Sequence, residues 1–232
     1  MYYDLHIHSG LSPCAEDEMT VNNIVNMAGL KGLDLIALTD HNSTKQLKTL
    51  HIVAKDKIKV LYGIEMESKE EVHILGYFKD LSDALALQPW LDLHLNYQEN
   101  NPNYFGHEYF FDQNDQVIGE EKKLLITSLD QDIYQVAEII RRNKGTVVLA
   151  HVANKANSIT SQLGFIPSDL DYDGLEVHSK LEQEAIKEQN PQLNNKNIFW
   201  LFNSDAHRLQ DISEAENELS EQAYECLFGD KS

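Results

Sequence analysis

Short runs of apolar residues, rich in Val, Ile, Leu, Phe and Tyr, recur along this chain between segments whose apolar positions follow the helical period. Strands are predicted over Tyr2–His8, Asp34–Asp40, Lys59–Met66, Glu71–Phe78, Gly145–His151, Asp173–Ser179 and Asn197–His207. Helices are predicted over Thr20–Leu30, near Ser43–Lys55, over Asp130–Asn143 with Ser128 or Asp130 as N-cap, over Leu181–Gln189 and over Ser213–Leu227. The alternation is that of βαβ units, and the apolar strand centres suit a parallel sheet covered on both faces.

One segment breaks the alternation. Residues 79–128 hold a helical piece, the polar stretch "NYQENNPNY" and then "HEYFFDQNDQVIGEE", which reads as a hairpin turning at Gln113–Asp115. These residues offer too little apolar material for a core of their own, so they read as an inserted subregion of one barrel domain spanning 1–232. The aromatics Tyr104, Phe105, Tyr109, Phe110 and Phe111 suit either stacking on a base or a small local core.

Composition adds three expectations. With 42% hydrophobic and 25% charged residues the chain has material for a real core. A formal net charge of −19 repels long polyanions, so a compact partner is expected and long nucleic acid is not. No run approaches the roughly 18 apolar residues of a membrane span, and the first residues lack the basic and apolar regions of a signal peptide, so no membrane contact and a cytoplasmic setting are expected. Cys14 and Cys226 form no spaced pair, and no disulfide is expected between them.

The chemistry concentrates at strand ends. In a regular strand alternate side chains share a face, so His6 and His8 in "DLHIHS" point the same way, together with Asp4. "TDH" ends in His41, "GIE" in Glu65 and "LAH" in His151, "VHILGY" carries His73, and "SDAH" repeats the alternation with Asp205 and His207. In a βα barrel such ends meet at one mouth. Imidazoles and carboxylates with almost no thiolate suit catalytic zinc, iron or manganese, and the number of donors calls for two or three divalent ions. Asp40 points away from His41 in a regular strand, which suits either an acceptor that orients a ligand or direct ligation.

Taken in order, "DLHIHS", "ALTDHN", "GIE", "VHILGY", "LAH" and "NSDAH" resemble the motifs of the PHP family, named for polymerase and histidinol phosphatase domains. The resemblance implies an α/β fold, a distorted (βα)7 TIM-like barrel with a small insertion, and a metal cluster at its mouth that hydrolyses phosphoesters with a metal-bound hydroxide. It implies that His6, His8 and Asp205 share one metal, that Glu65 bridges, that His73 and His151 serve a second metal, and that His41 and His207 serve a third. The third metal's remaining ligand follows the HxH motif in many relatives as Ser-Asp-Gly. Here the chain reads "SPCAEDEMT", where Cys14, Glu16 or Asp17 can serve, and Asp17 is the expected choice.

Further candidates are His178, at a strand end, for the substrate phosphate, and Arg208, beside His207, as a bidentate phosphate clamp. His151, His178 or His207 can protonate the leaving group. The expected activity is hydrolysis of a small phosphorylated metabolite, nucleotide or short oligonucleotide. The alternatives are amidohydrolase-type cleavage of a C–N bond on the same metals, and a non-catalytic metal-binding regulatory module.

Overall fold

A computed structural model of the chain describes residues 1–153 and 155–229. Its nine strands are β1 (Tyr3–Ile7), β2 (Leu35–Leu38), β3 (Lys59–Glu67), β4 (His73–Phe78), β5 (Tyr109–Phe111), β6 (Val117–Glu120), β7 (Thr146–Leu149), β8 (Gly174–Val177) and β9 (Phe199–Phe202). The α-helices are α1 (Val21–Leu30), α2 (Leu47–Ala54), α3 (Leu81–Ala86), α4 (Gln88–His94), α5 (Pro102–Phe105), α6 (Ile133–Arg142), α7 (Ile159–Leu163), α8 (Lys180–Gln189) and α9 (Glu221–Phe228). Seven strands form one sheet in the order β1-β2-β3-β4-β7-β8-β9. The sheet curls into a nearly closed barrel. Its seam is a single bridge, in which His8 N donates to Ala206 O at 2.9 Å and Ala206 N to His6 O at 3.1 Å.

The strand pattern separates two apolar layers. Tyr3, Leu5, Leu35, Ala37, Leu61, Leu75, Tyr77, Val148, Phe199 and Leu201 fill the barrel interior, which Ala223 and Leu227 of α9 plug. The alternate residues, among them Ile36, Leu38, Ile64, Ile74, Val147, Leu149, Leu175 and Val177, face the surrounding helices. Each strand is therefore apolar on both faces, which is why it reads as a continuous run.

Two departures from a regular parallel barrel shape the site. β4 runs antiparallel to both β3 and β7, against the expectation of a parallel sheet. Only Ser68–Val72 link β3 to β4, and a parallel crossover needs a dozen or more residues. Reversal brings the first residue of β4, His73, opposite Glu67 at the C-terminal end of β3. The second departure is a register shift in β1 between Asp4 and Ile7. Leu5 packs inside the barrel and Ile7 outside, so the bulge reverses the phase and turns His6 and His8 inward. Asp4 does not share their face, as strict alternation predicted. Its buried carboxylate accepts from Ser204 N (3.2 Å), Ser204 Oγ (2.5 Å) and Ser213 N (2.8 Å), and so ties down the loop after β9.

Two element ends also differ. The cap of α6 is Asp132, in a capping box with Gln135, whereas Asp130 pairs with His94 at 2.8 Å. The last helix starts at Glu221, capped by Ser220, because the preceding backbone is held elsewhere: Ser213 N by Asp4, and Leu219 N by Met1 O at 3.0 Å. Residues 79–128 carry α3, α4, α5 and the β5–β6 hairpin, with Leu87, Leu91, Leu95 and Leu125 in the same apolar layer as α1 and α6. Phe111 is buried against Gly10, while Tyr104 is exposed. Among the described residues no helix is long and apolar enough to cross a membrane, and neither Cys14 nor Cys226 is in a disulfide.

A close approach of backbone to backbone between strands is at Gly63. A Cβ there would stand 2.6 Å from the Leu38 carbonyl oxygen and 2.6 Å from Thr39 Cγ2. Gly63→Ala is expected to cost about 1–3 kcal/mol of stability, read from chemical denaturation. An unchanged midpoint would contradict this packing of β2 on β3.

Candidate metal centre

Glu65, on β3, occupies the centre of the barrel mouth and is 1% exposed. Its Oε1 is 2.9 Å from His73 Nδ1, 3.3 Å from His6 Nε2 and 3.3 Å from His151 Nε2. Its Oε2 is 3.3 Å from His8 Nε2 and 3.2 Å from His41 Nδ1. Asp205 Oδ1 completes the ring, 3.3 Å from His6 Nε2 and 3.4 Å from His8 Nε2. Two imidazole pairs meet nitrogen to nitrogen at 3.2 Å, His6 with His8 and His73 with His151. Donors bound to one ion at roughly 2.0–2.1 Å stand roughly 3.0–3.4 Å apart, so these separations match the edges of a coordination polyhedron.

The carboxylates around the ring orient it. His6 Nδ1 donates to Glu176 at 2.9 Å, which leaves Nε2 bare toward Glu65. His8 Nδ1 donates to Ser12 Oγ at 3.0 Å, and Ser12 Oγ in turn to Asp40 at 2.8 Å. Asp40 also accepts from Ser9 N and Ser9 Oγ, both at 2.7 Å, so it is the orienting acceptor and its carboxylate is fully used. His207 Nδ1 donates to the Asp205 carbonyl at 2.8 Å, and His73 Nε2 lies 3.4 Å from Glu67. A ligating histidine with its other N–H on a carboxylate or carbonyl is the common arrangement in metal sites. Backbone in the left-handed region at His151 (φ 29°) and Asp205 (φ 56°) aims two of these side chains inward.

Without a cation the site is electrostatically awkward. Glu65 Oε1 and His41 Nδ1 are buried and, although near neighbours, meet no partner in hydrogen-bond geometry. Burial pushes the Glu65 carboxyl up, yet His73, His6 and His41 outweigh it and hold it well below the usual range. Burial pushes His6 down, but Glu176, Glu65 and Asp205 carry it well above normal, and His73 rises against burial to about 10 beside Glu65 and Glu67. His41 is held well below normal by burial and by His8, and His207 falls to about 4 for the same two reasons. Some imidazoles must thus hold protons to balance the carboxylates. Divalent ions supply that charge and displace those protons, so the donor set fits them.

The donors form three groups with atoms within 4.8 Å of one another: His6, His8, Glu65 and Asp205; His41, Glu65 and His73; and His8, Cys14, His41 and His207. Of the residues singled out in sequence, His6, His8, His41, Glu65, His73, His151, Asp205 and His207 come together. Asp17 does not: it is exposed and outside all three groups, and Glu16 pairs with Arg208 at 3.2 Å, leaving Cys14 as the loop's donor. That salt bridge also holds Arg208 on the exposed rim, outside the cavity. His178 is outside it too, with Nδ1 3.2 Å from the Asn203 carbonyl.

The mouth opens into a cavity of about 480 Å³ whose lining includes Cys14, Glu67, Lys155 and the donors His41, Glu65, His73, His151, Asp205 and His207, with His6 and His8 buried beneath. Lys155, which sequence reasoning passed over, extends its ammonium to Asp205 at 3.0 Å. Glu176 was missed as well. Besides His6 it accepts from His151 N (2.9 Å) and Asn203 Nδ2 (2.7 Å), joining the ends of three strands. Its signal in sequence is a lone charge inside the apolar run Leu175–Val177.

A family model described as the PHP domain matches residues 4–163, and no curated protein matches. The lesion-specific endonuclease PfuEndoQ from Pyrococcus furiosus superposes with a TM-score of 0.61 at 21% identity, covering 90% of this chain and 48% of that one. A complex of Endonuclease Q with a 27-mer duplex carrying an abasic lesion gives 0.63 at 21%, covering 89% and 49%. An amidohydrolase from Chromobacterium violaceum with bound sulfate gives 0.62 at 17%, covering 96% and 93%. At these identities the likeness is one of fold, and the chain spans about half the length of the two endonuclease structures. The expectation that a charge of −19 excludes long nucleic acid is corrected here, because a protein of this fold holds a DNA duplex. Net charge averages over the whole surface, whereas binding responds to the field at the site, which bound cations reverse.

Two outcomes test the centre. Glu176→Gln should keep the fold but weaken divalent-metal affinity about 10–100-fold in chelator competition. Chelation should lower the melting temperature of the unaltered protein and added metal should restore it. A melting curve indifferent to verified metal removal would contradict the assignment.

Proposed function

The chain belongs to the PHP domain family, and from that premise we propose that it is a metal-dependent hydrolase that cleaves phosphoesters in the cavity at the barrel mouth. One observation carries the reading: a ring of six imidazoles, Glu65 and Asp205 lies at the base of an open cavity whose remaining charged lining includes the cation Lys155. His6, His8, Glu65 and Asp205 would hold one ion, His73 and His151 with Glu65 a second, and His41 and His207 a third. The nitrogen and oxygen donors suit zinc, iron or manganese. Such ions, when bound, lower the pKa of water and neutralise charge on a phosphate.

The chain's own groups do the rest. Glu176, Ser12, Asp40 and Glu67 fix the ring orientations, so the donors need little rearrangement. With Asp205 engaged beside His6 and His8 on a bound ion, the Lys155 ammonium would be free to meet a phosphate oxygen over the cavity. Ile126 and Ala156 add apolar surface to the cavity wall. The phosphate can belong to a metabolite, a nucleotide or a DNA strand, and Endonuclease Q makes DNA a substrate to be tried. Hydrolysis of a C–N bond is the second reading, favoured by the amidohydrolase of the same fold; Lys155 at the cavity weighs toward an anionic substrate.

The test is a side-by-side assay of the metal-replete protein on p-nitrophenyl phosphate, nucleoside monophosphates, single-stranded and abasic duplex DNA, and small amides. Turnover of phosphoesters is expected, and preferential turnover of amides would overturn the reading. His8→Ala and Asp205→Ala should each lose about 100-fold or more in kcat with the fold intact, and Lys155→Ala should raise KM about tenfold with a smaller effect on kcat.

A further inference from the structure

We propose that Cys14 is a metal ligand, and that with His41 and His207 it forms a thiolate–imidazole site at the cavity mouth, its fourth position left to water, that takes zinc in preference to manganese. The inference rests on the metal-dependent reading above and concerns only the ion nearest the solvent. The thiol and the two imidazoles offer donors within 4.8 Å of one another, and donors around a tetrahedral zinc stand roughly 3.3–3.8 Å apart. The His41 and His207 ring centroids lie 6.4 Å apart. His207 spends Nδ1 on a hydrogen bond, which leaves Nε2 for this ion, whereas His8 turns its Nε2 to Glu65 and Asp205.

The loop that carries Cys14 is held in place. Ala15 N donates to Ser12 O and Gly10 N to Met19 O, both at 2.9 Å, and Glu16 N donates to the His207 carbonyl at 3.0 Å. Leu11, Ala15 and Met19 are buried beneath it, and Gly106 of the inserted segment presses on Pro13, where a Cβ would stand 2.1 Å from the carbonyl oxygen. Fixed in this way, the loop directs Cys14 into the cavity lining and leaves Asp17 outside it. A thiolate changes which ion the position holds: sulfur with imidazole suits zinc, whereas manganese favours carboxylates and water. On binding, the thiol proton passes to water as the sulfur–metal bond forms, with no change of oxidation state.

The full-length chain and its Cys14→Ser and Cys14→Asp variants are stripped with chelator, reloaded with zinc or manganese, and analysed for metal content. Maleimide labelling is followed at the Cys14 and Cys226 peptides by mass spectrometry, Cys226 serving as the internal reference. Zinc is expected to slow labelling of Cys14 about tenfold or more and to leave Cys226 unchanged, because a coordinated thiolate is withdrawn from attack. Cys14→Ser should hold one zinc equivalent fewer and lack the thiolate-to-cobalt absorption that the unaltered chain gives with cobalt. Cys14→Asp should shift retention toward manganese. Unchanged labelling of Cys14 in protein that holds its full complement of zinc overturns this assignment alone. Failure to bind any metal overturns it together with the reading on which it rests.

Discussion

A carboxylate with almost no access to water, Glu65, faces imidazole nitrogens of His6, His8, His41, His73 and His151 at 2.9–3.3 Å, and the rest of the structure answers to that constraint. Bare nitrogens and oxygens at such distances repel unless positive charge lies between them, and a buried charge left unpaired costs several kcal/mol. Protons on some imidazoles balance the charge in the metal-free protein, and divalent cations balance it with better geometry. A barrel is suited to holding such a centre because each strand end contributes one or two side chains to a rigid rim.

The fold serves this ring through a set of buried carboxylates that touch no ion. Glu176 ties His6 to the ends of β7 and β9, Asp40 reaches His8 through Ser12, and Asp4 anchors the loop that delivers Asp205 and His207. Each is satisfied by several donors, which is what permits a charge there. The seam of the barrel passes through the same region, since Ala206 bridges to β1 between Asp205 and His207. Closure of the sheet and completion of the donor ring are thus one structural event.

The insertion acts on the site indirectly. Its hairpin packs on Gly10, where Tyr109 N donates to the Gly10 carbonyl at 2.8 Å, and its Gly106 turn abuts Pro13. It thereby braces the loop between His8 and α1 that selects Cys14 for the cavity. The acidic surface and the nucleic acid held by a protein of like fold are compatible for the same reason that the centre needs cations: field strength is decided locally.

Much of this was legible in the sequence. Seven apolar runs marked seven barrel strands, because strands covered on both faces need apolar residues at every position, and the imidazoles and acids at their ends marked the rim. Periodicity could not reveal the bulge in β1, which separates Asp4 from His6 and His8, nor the reversal of β4, which rests on the length of a link and not on the residues in it. Nor could it choose among Cys14, Glu16 and Asp17, whose directions depend on a loop clamped by His207 and Gly106, or single out Glu176 and Lys155, which gain meaning only from what they face. The residue types alone determined that the chain carries donors for divalent ions on a βα framework. Which donors meet, and which neighbour orients each of them, was decided by tertiary contacts, since separations of about 3 Å between residues up to 209 positions apart follow from packing and not from local pattern.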